Sequence, residues 1–295
     1  MAEQRTVNPL VVGSTPTSSA MKTYEISSFQ EIDIALCFEE YMASGCFVLR
    51  GYDMSRDEQL SLMKSFGDIT KWFPNNQRDS GHYTPYRENH SHTIDMRNLE
   101  NATTGTDDIL VVWHMEHIGF PNPAVGASWN MRTFTCSPNS GKTFFVDGIQ
   151  LYQNLSQDDA EFLKKSLYVE QAHGAVDSNH PIYCPIKKHY LTGNEMVYMP
   201  PNTNIPYGDK LCCDQGRQWG EKERQRFETI MCKIANTIKY DASVQFEHRW
   251  QQYDVVFADL SRLYHAVTGG FSSEERIFDG IFAHALEGDM FLVMR

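Results

Sequence analysis

Long hydrophobic runs are missing from this sequence. No stretch of about 18 apolar residues occurs, the length that a membrane-spanning helix needs. Residues 1 to about 21 are polar, with scattered proline, serine, threonine and glycine, and hold no apolar core of a secretory signal. We therefore predict a flexible N-terminal arm over residues 1–21 and a cytoplasmic protein without a membrane anchor.

Positive charge is also scarce. Lysine and arginine number 26 against 38 aspartates and glutamates, so the net charge is −12. Nucleic acids and anionic membranes are bound through basic surfaces, so the net charge argues against both as the main partner, although it leaves a local basic patch open. A small-molecule substrate is the expected partner, and the composition leaves a homo-oligomer open.

Paired cysteine motifs are absent as well. The seven cysteines form no Cys-x-x-Cys spacing, and their number is odd. Free thiols in a reducing compartment account for this pattern.

Short strands with turns between them and a few flanking helices make up the rest of the chain. This pattern predicts one domain over residues 22–295, mostly β, with a closed or double-sheet core such as a jelly roll. Residues 72–108 and 173–220 show little periodicity, which predicts long active-site loops. The predicted helices cover residues 29–44, 55–67, 156–167 and 221–237. The predicted strands cover residues 23–26, 46–50, 109–112, 126–135, 143–147, 196–199, 244–250, 254–258 and 276–284.

One metal-binding pattern stands at the end of a predicted buried strand, residues 109–112. His114 and Glu116 are two positions apart, so an imidazole nitrogen and a carboxylate oxygen can reach one ion. His265 can supply a third ligand, which would complete the two-histidine, one-carboxylate set of non-haem iron oxygenases. Chance alone supplies about one or two His-x-acid triplets in a chain of this composition, and a buried structural histidine is the alternative interpretation.

Further motifs accompany this triplet in the order expected of a known family. They are Leu49-Arg50-Gly51, Trp113-His114-Met115-Glu116, Gly141-Lys142-Thr143-Phe144, His189 with Thr192-Gly193, Trp250, 254–259, His265 and Arg276. Together they resemble the TauD/TfdA family of Fe(II)- and 2-oxoglutarate-dependent dioxygenases, over residues 26–284.

The resemblance implies a double-stranded β-helix (jelly-roll, cupin-like) core and the cofactors Fe(II), 2-oxoglutarate and O2. His114, Glu116 and His265 would be the catalytic iron ligands. Thr143 and Arg276 would hold the distal carboxylate of 2-oxoglutarate, a role that suits a permanent cation with a planar donor fork. Because Arg276 follows His265 by 11 residues, we expect neighbouring strands to place both in one cavity. The alternative for Arg276 is a surface ion pair beside Glu274 and Glu275.

Departures from the family pattern bear on the substrate. Glu116 stands where most members carry Asp, as in the clavaminate-synthase-like branch, which often oxidises free amino acids. A carboxylate at this position argues against halogenation. Gly280 and Leu110 replace the Arg and Asn of taurine-specific members, which argues against taurine. We expect hydroxylation of a small polar, amino-acid-like substrate, with candidate contacts from aromatic and histidine side chains at Trp72, His82, Tyr83, Tyr86 and His117.

Three alternatives stay open from the sequence. A desaturase or cyclase of the same family would use the same cofactors. A non-catalytic metal- or ligand-binding jelly roll would share the fold. A zinc hydrolase could use the same three ligands, but it would leave Thr143 and Arg276 without a role.

Overall fold

A computed structural model describes residues 21–65, 83–85, 91–94, 108–116, 124–169, 182–199, 212–213, 219–272 and 274–284 of the chain. The five α-helices in this part of the chain are α1 Ile34–Ser44, α2 Arg56–Lys64, α3 Gly148–Gln153, α4 Gln157–Lys164 and α5 Glu221–Tyr240. The strands are β1 Lys22–Glu25, β2 Cys46–Arg50, β3 Tyr83–Pro85, β4 Ser91–Ile94, β5 Ile109–His114, β6 Ala124–Phe134, β7 Thr143–Asp147, β8 Ser166–Val169, β9 Ile182–Tyr183, β10 Ile186–Lys188, β11 Glu195–Val197, β12 Cys212–Cys213, β13 Gln245–His248, β14 Val255–Ala258, β15 Leu263–Thr268 and β16 Arg276–His284.

Two sheets make up the body of the protein. The larger has seven strands in the order β1-β2-β14-β6-β16-β4-β3, and the smaller has four in the order β13-β7-β15-β5. All pairs within them are antiparallel except β1 with β2. This strand-rich architecture confirms the predicted jelly-roll core with few helices.

The two sheets share one apolar core. Trp129 of β6 in the larger sheet stacks on Phe145 of β7 in the smaller, with ring centroids 6.2 Å apart. Inward side chains from both sheets complete this cluster, among them Val48, Met131, Val256, Phe246, Leu263, Phe278 and Phe282. Burial of such side chains contributes roughly 1.5–3 kcal/mol each. The packing therefore fixes the distance between the sheets, and with it the space between them.

Helix starts follow local capping chemistry. Ser55 and Glu58 form the predicted capping box of α2, with each side chain bonded to the other residue's backbone N–H. The predicted helix over residues 29–44 is divided in the structure: Phe29–Glu31 form a short 3-10 helix, and the continuous helix assumed across residues 32–33 is wrong. The carboxylate of Asp33 accepts hydrogen bonds from the backbone N–H groups of Ala35 and Leu36, so α1 begins only after that cap.

Two predictions about β5 and the long loops are wrong. Strand β5 was expected to be buried, but it is an edge strand of the smaller sheet, and Val112 is 61% exposed. The segments 72–108 and 173–220 were expected to be irregular. They contain β3 and β4, which join the larger sheet, and the short strands β9, β10 and β12, besides β11 at the predicted strand 196–199. The role of the two segments as active-site loops stays a prediction.

Other expectations lie outside the described residues or stay predictions. The arm over residues 1–21 falls almost entirely outside them, and the single-domain boundary at residue 22 stays a prediction. No helix in the described ranges combines the length and apolarity needed to cross a membrane.

Tyr253 adopts a left-handed backbone conformation, with φ 70°. Its backbone N–H donates to the carbonyl of Met131 at 2.9 Å, which holds this turn against β6. The left-handed region costs a residue with a Cβ about 1–2 kcal/mol relative to glycine, because Cβ crowds the backbone. Tyr253 therefore carries backbone strain in this turn.

We predict that Tyr253→Gly raises the free energy of unfolding by up to about 1 kcal/mol, since it removes this strain but adds chain entropy to the unfolded state. Tyr253→Val should lower it, because a β-branched residue fits the left-handed region poorly. Urea denaturation of both variants checks the prediction. A valine variant as stable as the glycine variant would contradict it.

Candidate active site

His114 is the last residue of β5, and its ring is oriented by its own strand. The Nδ1 atom lies 2.8 Å from the carbonyl oxygen of Val112, which accepts a hydrogen bond from Nδ1–H. This assigns the tautomer in which Nε2 keeps a free lone pair, the state that a metal ligand needs. Glu116 follows two residues later, and its Oε2 lies 3.5 Å from His114 Nε2.

His265 reaches the same place from the neighbouring strand. Strands β5 and β15 pair in a register that sets His265 opposite His114, and their ring centroids are 4.0 Å apart. The Nε2 atom of His265 lies 3.6 Å from Glu116 Oε2. One ligand atom from each of the three residues falls within a group whose members are all within 4.8 Å of one another. Two imidazoles and a carboxylate at this spacing can hold one metal ion on one side and leave its other positions open.

The electrostatics of the two histidines differ. Burial, together with the smaller effect of the neighbouring His114, lowers the pKa of His265 to about 3. His265 is therefore neutral at pH 7 with its lone pair available. Burial also disfavours the charged form of His114, but the hydrogen bond and the charge of Glu116 outweigh it and raise the pKa of His114.

Thr143 begins β7, the strand on the other side of β15. The register pairs Val267 with Thr143, so its side chain lies along the same sheet as the three ligands. The Thr143 hydroxyl is buried, and Trp250 Nε1–H donates to it at 2.8 Å. It lies 3.5 Å from Nη2 of Arg276.

Arg276 faces these residues from the larger sheet. It is the first residue of β16 and only 1% exposed. Its guanidinium carbon lies 5.0 Å, 5.3 Å and 5.5 Å from the ring centroids of Phe278, Phe271 and Trp250. Burial lowers the pKa of Arg276 to about 10, so the group still carries its charge at pH 7. Within the described part of the chain no carboxylate pairs with it, and its Nε has no hydrogen-bond partner.

Gly141 makes room for this arginine. Its backbone has φ +60°, and a Cβ placed there would lie 2.8 Å from Cδ and 3.0 Å from Nε of Arg276. Glycine is thus required both by the backbone conformation and by the close approach of the side chain.

A cavity of about 100 Å³ connects the three ligands to Thr143 and Arg276. The remaining side chains that line it in the described residues are apolar or aromatic: Val111, Trp129, Trp250, Val267, Phe278 and Phe282. A group bound here would meet the Arg276 guanidinium and the Thr143 hydroxyl at one end and the histidine and carboxylate ligands at the other, between apolar walls.

The structure brings together the five residues predicted for iron and 2-oxoglutarate. One expectation about how they meet is wrong. His265 and Arg276 lie on β15 and β16, which are not neighbours in one sheet but face one another from different sheets. The alternative of a surface ion pair for Arg276 is also wrong, because the side chain is buried and Glu275 accepts instead from the backbone N–H of Ser272.

The predicted substrate contacts are not placed by the structure. Trp72, His82, Tyr86 and His117 lie outside the described residues, and Tyr83 is described only by its backbone in β3. Two residues of the site had no role in the prediction, Trp250 and Gly141. Both stand in the motifs of the family resemblance, which is the signal that could have found them.

The comparison with known protein families agrees with the resemblance seen in the sequence. The family described as "Taurine catabolism dioxygenase TauD, TfdA family" matches residues 15–281. A search of curated proteins finds no significant match.

Solved structures share the fold. A taurine dioxygenase from Burkholderia xenovorans is 16% identical to this chain, with a TM-score of 0.64 over 92% of this chain and 88% of that one. AAD-2 in complex with Mn(II) and N-oxalylglycine is 12% identical, with a TM-score of 0.60 over 90% of this chain and 94% of that one. Identities this low show a common fold and do not transfer a substrate.

The family match spans most of the chain, and members of this family need Fe(II), 2-oxoglutarate (α-ketoglutarate) and O2. The chain therefore belongs to the TauD/TfdA family of α-ketoglutarate-dependent dioxygenases and is an oxidoreductase that acts on a small molecule.

Proposed function

We propose that this dioxygenase hydroxylates an unactivated C–H bond of a small polar substrate, with His114, Glu116 and His265 as iron ligands and Thr143 and Arg276 as anchors for 2-oxoglutarate. The single observation that carries the proposal is the buried charge of Arg276. It lies in the same cavity as the metal-binding group and has no carboxylate partner among the described residues. A buried cation without an anion is costly, which favours a carboxylate ligand at this position.

The donor set suits one end of 2-oxoglutarate. Arg276 supplies a planar fork that can bind both oxygens of a carboxylate, and Thr143 supplies a hydroxyl beside it. When bound, iron and 2-oxoglutarate supply the oxidising chemistry: O2 and 2-oxoglutarate give succinate and CO2, and one oxygen atom enters the substrate C–H bond. The protein residues hold the co-substrate in one orientation, and the apolar walls at Trp129 and Phe282 keep water away from it.

The substrate class rests on sequence features. Glu116 in place of the usual Asp is shared with the amino-acid-oxidising branch of the family. Gly280 and Leu110 lack the side chains that taurine-specific members place there. Amino acids and their derivatives are therefore the first compounds to test for succinate release, with mass spectrometry of the product. Hydroxylation adds an oxygen, whereas desaturation removes two hydrogens. Turnover with zinc and no binding of 2-oxoglutarate would favour a hydrolase instead.

We predict that Mn(II), used as a redox-inert probe, raises the thermal midpoint of the wild-type protein but not of His265→Ala. Binding to the folded state alone stabilises it, by about 2.7 kcal/mol when the metal stands at 100 times its Kd. His248→Ala is the matched control, because its Nε2 lies 3.2 Å from Asp254 and it should keep the response. A His265→Ala protein that still responds to Mn(II) would refute the ligand assignment.

Arg276→Ala should weaken 2-oxoglutarate binding by about 1.5–3 kcal/mol, or roughly 10- to 150-fold, since a charge-assisted pair is lost. The measurement is an anaerobic titration of the Fe(II) protein, followed through the visible absorption of the chelate. Arg132→Ala is the control, because Arg132 pairs with Asp279 at 2.7 Å and should bind 2-oxoglutarate normally. Unchanged affinity in Arg276→Ala would contradict the assignment.

Gly141→Ala should also weaken 2-oxoglutarate binding, because its Cβ would force Arg276 to move. Gly193→Ala separates this effect from backbone strain. Gly193 has φ +69° but nothing within 4 Å of an added Cβ. Both variants should lose about 1–2 kcal/mol of stability, and only Gly141→Ala should lose affinity in the same titration. Equal affinities in the two variants would show that Gly141 does not act through Arg276.

A further inference from the structure

The hydroxyl of Thr143 has one hydrogen to donate and two lone pairs to accept with. Trp250 Nε1–H donates to it at 2.8 Å. Arg276 Nη2 also donates, at the long limit of 3.5 Å. Both protein neighbours are donors only, so neither can accept the hydroxyl hydrogen. Among the described residues this hydrogen has no acceptor, although the oxygen is buried at the cavity wall.

The indole of Trp250 is held firmly in this position. Trp250 is 2% exposed, and the ring of His248 packs edge-on against it with centroids 4.5 Å apart at 82°. The register of β13 with β7 sets His248 opposite Thr143, so indole and hydroxyl are tied to the same pair of strands. The indole therefore has little freedom to turn its N–H elsewhere.

The buried carboxylate of Asp254 supports this arrangement. His248 Nε2 lies 3.2 Å from Oδ2 of Asp254. Arg50 donates two hydrogen bonds to the same carboxylate, of 2.7 Å and 2.9 Å. The backbone N–H of Gln251, next to the indole, donates to it at 2.8 Å. Bidentate pairs of this kind fix geometry as well as adding energy.

We propose that Trp250 is a positioning residue for 2-oxoglutarate: its N–H occupies a lone pair of Thr143, so that the Thr143 hydroxyl hydrogen points at the distal carboxylate of the co-substrate. The inference rests on the proposed function, since it needs a carboxylate at Arg276. Without the indole donor the hydroxyl can rotate and accept instead of donating, and one hydrogen bond to the carboxylate is lost for part of the time. Trp250 touches no reacting atom: its N–H acts through Thr143, and its ring also lies 5.5 Å from the Arg276 guanidinium.

A double-mutant cycle tests this, with the dissociation constant of 2-oxoglutarate measured by anaerobic titration of the Fe(II) protein. Trp250→Phe should raise the constant about 3- to 10-fold, the range of one neutral hydrogen bond, and Thr143→Val should raise it by a similar factor. The double variant should be no weaker than Thr143→Val, because the indole N–H then has no hydroxyl to act on and phenylalanine keeps an aromatic ring beside Arg276. In a Thr143→Ser background, which keeps the hydroxyl, Trp250→Phe should weaken binding as it does in the wild type.

The matched control is Trp219→Phe, which removes a buried indole that packs on Phe162 and Phe227. It should lose stability without losing affinity. Trp250→Met removes the same donor if the phenylalanine variant does not fold. Unchanged affinity in Trp250→Phe, or effects that multiply in the double variant, would overturn the inference. A wild-type protein that does not bind 2-oxoglutarate would instead overturn the proposed function on which it rests.

Discussion

The buried guanidinium of Arg276 is the constraint around which the site is arranged. Removing a cation from water costs several kcal/mol even after the protein relaxes around it. Three aromatic rings offer their faces to the charge, which returns part of this cost. Gly141 has no side chain and so leaves room for the guanidinium. The Thr143 hydroxyl lies 3.5 Å from Nη2 of Arg276, at the limit of hydrogen-bond distance. A carboxylate ligand would supply the counter-charge that the described protein residues do not.

The site exists only where the two sheets face one another. His114, His265 and Thr143 lie on β5, β15 and β7 of the smaller sheet, with Glu116 just after β5, whereas Arg276 lies on β16 of the larger. No single strand or hairpin carries both halves. The aromatic core that fixes the sheet separation, including the stacked pair Trp129 and Phe145, therefore also fixes the distance between the metal-binding group and Arg276, the proposed co-substrate anchor. The packing of the core thus determines the geometry of the proposed co-substrate site.

Local signals in the sequence predicted the elements that form locally. The bounds of β7 and β16 agree with the structure, and the capping box of α2 is present because two side chains three residues apart suffice to form it. Strand β15, which carries His265, was not predicted, because its run of buried side chains does not alternate, although Gly269-Gly270 marks the turn at its end. The exposure of β5 was also missed. Whether a strand lies at an edge depends on partners far away in the chain.

The residues of the candidate site were predicted from motifs and not from local patterns. The five metal and co-substrate residues were named from family motifs and their chemistry, and the structure brings them to one cavity. Their placement on facing sheets was not predicted, because spacing along the chain does not say which sheet a strand joins. The role of Trp250 could be seen only in the structure, since it depends on which atom its N–H reaches.

A crystal structure with Mn(II) and N-oxalylglycine tests the account most directly. The account predicts Mn(II) on His114, Glu116 and His265, with the distal carboxylate of the ligand on Arg276 and Thr143. Metal bound elsewhere, or a carboxylate that points away from Arg276, would contradict it.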